Sequence, residues 1–558
     1  MNMHIPINAV ESKSPKTLTR REWLARIGVA TAACSVWPRA WAADAQSLTE
    51  DEAGALREAM HRAGGCLLAW LDPKRHFLPM GGYQASHDTG RWWDAMLRLQ
   101  ATTGFAIPPQ VETAMLENFR VMTDNPAGLL ANDERLADLK GTAQTNPHNF
   151  RESMLAYSAL VRHRHDDWSR QHGRRLVETT GQLLEPDGQM DYARLAALMK
   201  MPLNLDPSMI QRSPAGQWFD ATGTTGRAIE GFVSFHQATQ DDRAMKLAAR
   251  LAKIHLRNVV RPDGKVPPEL LDRNNIGHNH SYQGTLRGLL LFGLATGNKR
   301  YVEAIARTYR HGLFGTVITE SGWSPHDLGK SRFPNGHGDP VGEHASCADV
   351  VQLALWLALK SGQTELLDDV ERLLRARLLP SQITDPNDPR RNGAWGAYDH
   401  PYGTGSIIDV IAAVLHVLTE VYQSIITRSA SGTVTVNLHF TVDTAVASVR
   451  AFRGERGRTR VILKQAGRLR IRVPGWTPQA TVRLSAAGKP LPLKWDGNYL
   501  SVSHGAAPVG VPVELEYDLP QRHTIETMPV SRHQFRLTWR GDEVVACDPE
   551  GPIYSRKR

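Results

Sequence analysis

From Glu343 to Leu359 the chain reads EHASCADVVQLALWLAL. Four polar or reactive side chains, Glu343, His344, Cys347 and Asp349, lead into ten residues that are apolar on nearly every side. A helix apolar all round is buried, whereas a one-sided helix lies at a surface. The pattern recurs five times, at SHDTGRWWDAMLRL (86–99), NFRESMLAYSAL (149–160), TTGRAIEGFVSF (224–235), NHSYQGTLRGLLLFGL (279–294) and GTGSIIDVIAAVLHVL (403–418). Between these runs stand charged, one-sided helical patterns: LTEDEAGALREAMHRA (48–63), PQVETAMLENFRVM (109–122), DDWSRQHGRRLVETTGQLL (166–184), DDRAMKLAARLAKIHLRNV (241–259), KRYVEAIARTYRHGL (299–313) and TELLDDVERLLRARLL (364–379). Six buried and six surface helices in alternation predict a closed double ring, an (α/α)6 toroid over residues 43–427. Steps of 55 to 76 residues between the starts are too uneven for an open solenoid.

The pattern changes near Arg428. VTVNLHF (434–440), AVASVRAF (445–452), RVILKQ (460–465), LRIRVPGW (469–476), TVRLSA (481–486), YLSVSH (499–504), PVELEYDL (512–519) and QFRLTW (534–539) are short alternating runs broken by Gly, Pro and Asp. They predict an antiparallel β-sandwich over 428–558, a mainly α protein with a β domain. Arg470, Arg472 and Trp476 there read as a strand's solvated face and core edge, with sugar binding as the alternative.

At the other end, Arg20-Arg21 precedes an apolar run from Ile27 to Trp37 and the small-x-small site Ala40-Trp41-Ala42. That is the pattern of a twin-arginine signal peptide over residues 1–42, which implies a periplasmic or secreted protein of 516 residues. Removing its six Lys/Arg and two Asp/Glu leaves about +5 of the formal +9 charge, too mild for a nucleic-acid partner. No later apolar run is long enough to span a membrane. The three remaining cysteines, Cys66, Cys347 and Cys547, are not a disulfide framework and cannot make a zinc site of thiolates alone.

In a toroid the starts of the buried helices converge at one end. They carry Asp88 and Arg91, His148, Arg151 and Glu152, Arg227 and Glu230, His278, His280 and Tyr282, Glu343 and, just before the sixth, His400. Carboxylates, arginines and histidines around one cavity, with Trp92, Trp93 and Trp323 near in sequence, suit carbohydrate. Each has a plainer reading: Asp88 as a helix cap, Arg227 and Glu230 as a pair within one helix.

The runs HSYQGTLRGL (280–289), ATGNKRYVEAIARTYRHGLFGTVITESGW (295–323), CADVVQLALWLALKSG (347–362) and DDVERLLRARL (368–378), with VTVNLHF and LRIRVPGW, resemble the bacterial β-L-arabinofuranosidases of glycoside hydrolase family 127. The resemblance covers most of residues 145–525 and implies an exo-acting glycoside hydrolase. It also implies a zinc-bound cysteine nucleophile, held by a Glu-x-Cys pair and two adjacent cysteines. Here Ala345 stands in the place of that glutamate, and Trp395 to His400 contains no cysteine. The expectation is therefore no cofactor and no metal at Cys347 and Glu343, with Cys347 a buried helix residue. The family's acid/base carboxylate precedes the fifth buried helix, where this chain offers Asp327, Asp339 and Glu343. Asp327 is expected to donate the proton and Glu343 to attack or activate water. His280 matches the family's pocket histidine. Arg227 takes the place of a sugar-binding histidine and could pair with a carboxylate, which suggests a uronic acid substrate, whereas the resemblance itself implies a pentofuranose. Two alternatives remain. A polysaccharide lyase would use His280 with Tyr282, or His400 with Tyr402, as base and Arg227 or Arg151 against the uronate. A glycan-binding protein would use the same cavity without turnover.

Overall fold

A computed structural model of the chain describes residues 55–80, 84–136, 139, 141–204, 224–395, 407–503, 505 and 507–549. The expected signal peptide and His400 lie outside these residues. The buried helices are Ala85–Thr103, Asn149–Arg164, Thr224–Thr239, Asn279–Thr296, His344–Ser361 and Ile407–Ser424, here the first to sixth inner helices. Each packs on the next, and the sixth packs on the first, so the ring is closed rather than a solenoid. Small residues allow the close approach. A Cβ on Gly288 would stand 3.0 Å from the Gly226 carbonyl oxygen, and one on Gly226 would overlap Thr285.

The outer layer is one-sided, as its pattern requires. Helix Asp242–Asn258 buries Ala244, Leu247, Ala248, Leu251 and His255, spaced three and four apart, against the third and fourth inner helices. Helices Pro109–Thr123, Asp167–Leu183, Lys299–Thr308 and Leu367–Leu373 back the first, second, fourth and fifth, while Ala55–Ala69 lies on the sixth and first. The last two predicted outer runs are not continuous α-helices. Tyr309–Leu313 and Leu374–Leu378 widen into π-helical turns.

The C-terminal strands make two larger sheets and a third, smaller one. In the six-stranded sheet, Arg456–Leu463 pairs antiparallel with Pro512–Asp518. Val461, Leu463, Val513, Leu515 and Tyr517 face the core, and Tyr517 covers Gly457. On the outer face Arg456, Arg458 and Arg460 pair with Asp518, Glu516 and Glu514 at 2.5, 3.1 and 2.5 Å. The five-stranded sheet includes one parallel pair, Val434–Val436 with Leu469–Arg472. The third sheet, Gln521–Thr527, Gln534–Arg540 and Glu543–Asp548, packs Leu537, Trp539 and Val544 on Trp323 and Ala376 of the helical layer. QFRLTW thus forms a strand outside the two larger sheets.

Arg472 is neither solvated nor a sugar ligand. It is fully buried between the layers, bound to Asp368 and, at 2.6 Å, to Glu371. Arg470 lies over the Tyr499 ring and pairs with Asp496 at 2.7 Å, and Trp476 packs edge-on to Tyr517.

Buried histidines set a pH dependence. Burial holds His87 and His255 down at about 3 and His439 at about 4. The unfolded chain accepts protons near the ordinary 6.5 that the folded chain refuses. Stability is therefore complete above that value and falls as pH drops toward 4. Buried Glu230 and Glu371, held low by arginines against the opposing effect of burial, add to the fall below about 4.5. Thermal midpoints measured from pH 7.5 to 4 at fixed ionic strength should begin to decline near pH 6. Midpoints level from pH 7 to 5 would contradict this.

Candidate active site

In the first turns of the inner helices, seven side chains close a circuit. Arg91 Nε meets Glu152 Oε1 at 3.3 Å, and Arg151 Nη1 donates to the same oxygen at 3.0 Å. Arg151 Nε reaches Glu230 at 2.9 Å, and Glu230 accepts from Arg287 at 2.5 Å. Arg287 binds Asp349, whose other oxygen accepts from His280 Nδ1 at 2.6 Å. His280 Nε2 then accepts from Arg91 Nη2 at 2.9 Å. That pairing makes His280 a neutral imidazole protonated on Nδ1. All seven are at least nine-tenths buried and come from the first five inner helices. The sixth supplies the Asp409 carbonyl to Arg91 at 3.1 Å.

Arg91, Arg151, Glu152, Glu230 and His280, expected as sugar contacts, thus spend their polar atoms on one another. Arg227 and Glu230 do not pair within their helix. Arg227 donates to Glu152 at 2.7 Å and meets His148 at 3.1 Å, so its charge is already answered from inside the protein. Tyr282 is buried among the apolar core, and Asp88 is buried in the first turn of the first inner helix, whose N-cap is Gln84.

Beside the circuit lie His278, His326, Glu343 and Asp409. Glu343 is the N-cap of the fifth inner helix and accepts from Ser346 Oγ at 2.9 Å. Burial pushes its carboxyl up to about 7, with Asp409 adding to the rise and His326 opposing it. Asp409, in the first turn of the sixth inner helix, is also raised, chiefly by burial and against Arg91 and Arg227. Its Oδ1 has no hydrogen-bond partner, and His87 Nε2 stands 3.9 Å from Oδ2. Among the described residues neither carboxyl is ion-paired to a lysine or arginine.

Asp327 behaves differently. It accepts from the Arg332 guanidinium at 2.8 and 3.1 Å and from the Arg332 backbone at 2.8 Å, and its Oδ1 lies 2.9 Å from His326 Nδ1. Burial alone would raise it, but His326 and Arg332 outweigh burial and hold it at about 2. A carboxyl so held is ionised and cannot be the proton donor expected of Asp327. Of the two expected carboxyls, it is Glu343 whose burial favours the protonated form. Asp339, the third acidic residue of this loop, accepts the Val530 and Ser531 backbone N–H groups at 2.8 and 2.9 Å and pins the loop to the third sheet.

Cys347 points away from this group. Its Sγ lies 3.2 Å from where a Gly322 Cβ would stand, and burial pushes the thiol up to about 12, against Arg377 and Arg372. A buried, protonated thiol is a poor nucleophile and ligand. The thiolate zinc site of family 127 therefore does not fit these residues.

No family model matches the sequence, and no curated protein does. Solved structures do match in shape. A GH127 beta-arabinofuranosidase aligns over 89% of this chain and 79% of its own, with TM-score 0.56 and 13% identity. A structure described as a glycoside hydrolase covers 82% and 77% at TM-score 0.54 and 13% identity. The chain shares the fold of these structures, an (α/α)6 ring followed by a β domain. A GH127 beta-L-arabinofuranosidase from Geobacillus stearothermophilus T6 agrees, over 88% of this chain and 80% of its own at TM-score 0.52 and 12% identity.

Asp409 and His326 were absent from the expected site set, whereas His278 was read with His280 and Tyr282 at the start of the fourth inner helix. Asp409 carried a signal: it occupies the same first-turn position as Asp88 and Glu152 in their helices. His326 carried none, because its place depends on how the loop from Ser324 to Gly342 folds back. An open groove of about 890 Å³, lined by Arg57, Tyr422, Asp443 and Arg450, lies elsewhere and gathers no comparable set of carboxyls and histidines.

Proposed function

We propose that this protein is an exported glycoside hydrolase acting at the open end of the ring, and that it releases a pentofuranose or uronic acid from a glycan. The supporting observation is the pair of carboxyls there, buried Glu343 and half-buried Asp409, both shifted upward and, among the described residues, neither ion-paired to a lysine or arginine. Glycosidic hydrolysis needs one carboxyl that keeps a proton for the leaving oxygen and one ionised carboxylate across the sugar. Two interacting carboxyls in a desolvated site share a proton near neutral pH, and its loss belongs to the pair. The salt-bridged circuit beneath supplies a rigid floor, which serves positioning. Export rests on Arg20-Arg21 and the cleavage site after Ala42, and no described helix is long and apolar enough to cross a membrane.

The test is a panel of arabinose- and uronate-containing oligosaccharides incubated with protein beginning at Ala43. New reducing ends without a rise in ultraviolet absorbance are expected. A rise in that absorbance would mark an unsaturated product and a lyase. Saturable binding with no product would mark a glycan-binding protein.

A further inference from the structure

His278, His326 and Glu343 come from three separate stretches of chain, yet one ligand atom from each lies within 4.8 Å of the other two. The backbone zips these stretches together. Asn279 N–H donates to the His326 carbonyl at 3.0 Å, and His326 N–H to Val341 at 2.8 Å. Glu343 N–H donates to Ser324 at 2.8 Å. The three side chains are thus fixed in relation to one another before anything binds.

Each side chain is also oriented by a second contact. His326 Nδ1 is 2.9 Å from Asp327 Oδ1, and Asp327 is anchored in turn by Arg332. His278 Nδ1 is 2.7 Å from Ser281 Oγ. His278 Nε2, opposite the nitrogen held by Ser281, stands 3.8 Å from Glu343 Oε2. The rings lie 4.7 Å apart, centroid to centroid. A histidine fixed through one nitrogen by a carboxylate or hydroxyl, its other nitrogen converging with a carboxylate, is the arrangement that holds metal ions in proteins. Glu343 is buried with no lysine or arginine within ion-pair reach among the described residues. An uncompensated buried carboxylate is costly, and a cation between it and the imidazoles removes that cost.

We infer that His278, His326 and Glu343 form a binding site for a divalent transition-metal ion of the zinc class, with imidazole and carboxylate ligands and no thiolate. Two imidazoles and a carboxylate suit zinc, cobalt or nickel better than calcium or magnesium. Three protein ligands leave at least one coordination position open to water or substrate. This departs from the sequence-based expectation of no metal, and from the family's thiolate site, since Cys347 faces the outer layer. The inference stands apart from the hydrolase reading. With a cation bound, Glu343 is the ionised member of the carboxyl pair and Asp409 keeps the proton.

The test uses tag-free protein from Ala43, treated with chelator and titrated with Co²⁺ under visible absorption. Zn²⁺ retained after gel filtration is counted by elemental analysis. Expected are one equivalent of either ion per chain and cobalt bands of four- or five-coordinate intensity without thiolate charge transfer. Glu343→Gln and His326→Ala should each weaken binding at least about tenfold, while Cys347→Ser binds as wild type. Glu343→Gln keeps the side-chain shape, so it decides the matter if His326→Ala does not fold. No ion bound by wild type, binding unchanged in Glu343→Gln, or binding lost in Cys347→Ser would each overturn the inference. Binding without turnover would leave it standing while removing the hydrolase reading, and turnover without binding would do the reverse.

Discussion

Asp409→Asn should lower turnover of any glycan this protein cleaves by about a hundred- to ten-thousand-fold, the usual contribution of a positioned proton donor or acceptor. The carboxyl is raised by burial, one oxygen lacks a partner, and the side chain stands beside the circuit rather than in it. Asparagine keeps the shape and cannot transfer the proton. Binding of substrate should change far less than the rate, so the loss belongs in kcat. Asp327→Asn should act differently. It removes the anchor of Arg332 and the orienter of His326, and its effect should appear in stability as well as activity. An Asp409→Asn protein with near wild-type kcat would exclude Asp409 from the reaction.

The second large effect concerns stability. Arg287 joins Glu230 to Asp349 and is 1% exposed. Arg287→Met removes the charge, keeps much of the volume, and leaves two buried carboxylates each short of a partner. Removing one member of a buried ion pair costs about 3–5 kcal/mol. Urea unfolding monitored by circular dichroism should show a loss of that size. A loss below about 1 kcal/mol would mean that the circuit is solvated or easily rearranged.

These two predictions mark where the sequence was and was not legible. The ring could be read because its evidence is periodic: VVQLALWLAL and GLLLFGL are apolar on all sides, so they can only be inner helices. The strands were legible through alternation, though RVILKQ marked only the second half of Arg456–Leu463, and its register with Pro512–Asp518 emerged only from the fold. Which polar residue faces substrate was not legible. Arg227 and Glu230 are three apart and fit an intrahelical pair, yet each is bound across helices, to Glu152 and to Arg151 and Arg287. Asp327 and Glu343 are both acids in one loop. What separates their behaviour is Arg332, five residues beyond Asp327, whose chain folds back onto one and not the other. That choice is made by tertiary packing, which no local spacing encodes. The third sheet was missed for a related reason. Its strands alternate like those of the sandwich, and only the apolar face offered by Trp323 and Ala376 separates them.

The central claim is that the open end of the ring hydrolyses a glycosidic bond with Asp409 and Glu343. Turnover of an active oligosaccharide in water enriched in heavy oxygen, with products resolved by mass spectrometry, tests it most directly. The account predicts a released sugar carrying one heavy oxygen from solvent, formed by wild type and not by Asp409→Asn. A product lighter by one water than the hydrolytic sugar, or equal incorporation by Asp409→Asn, would contradict it.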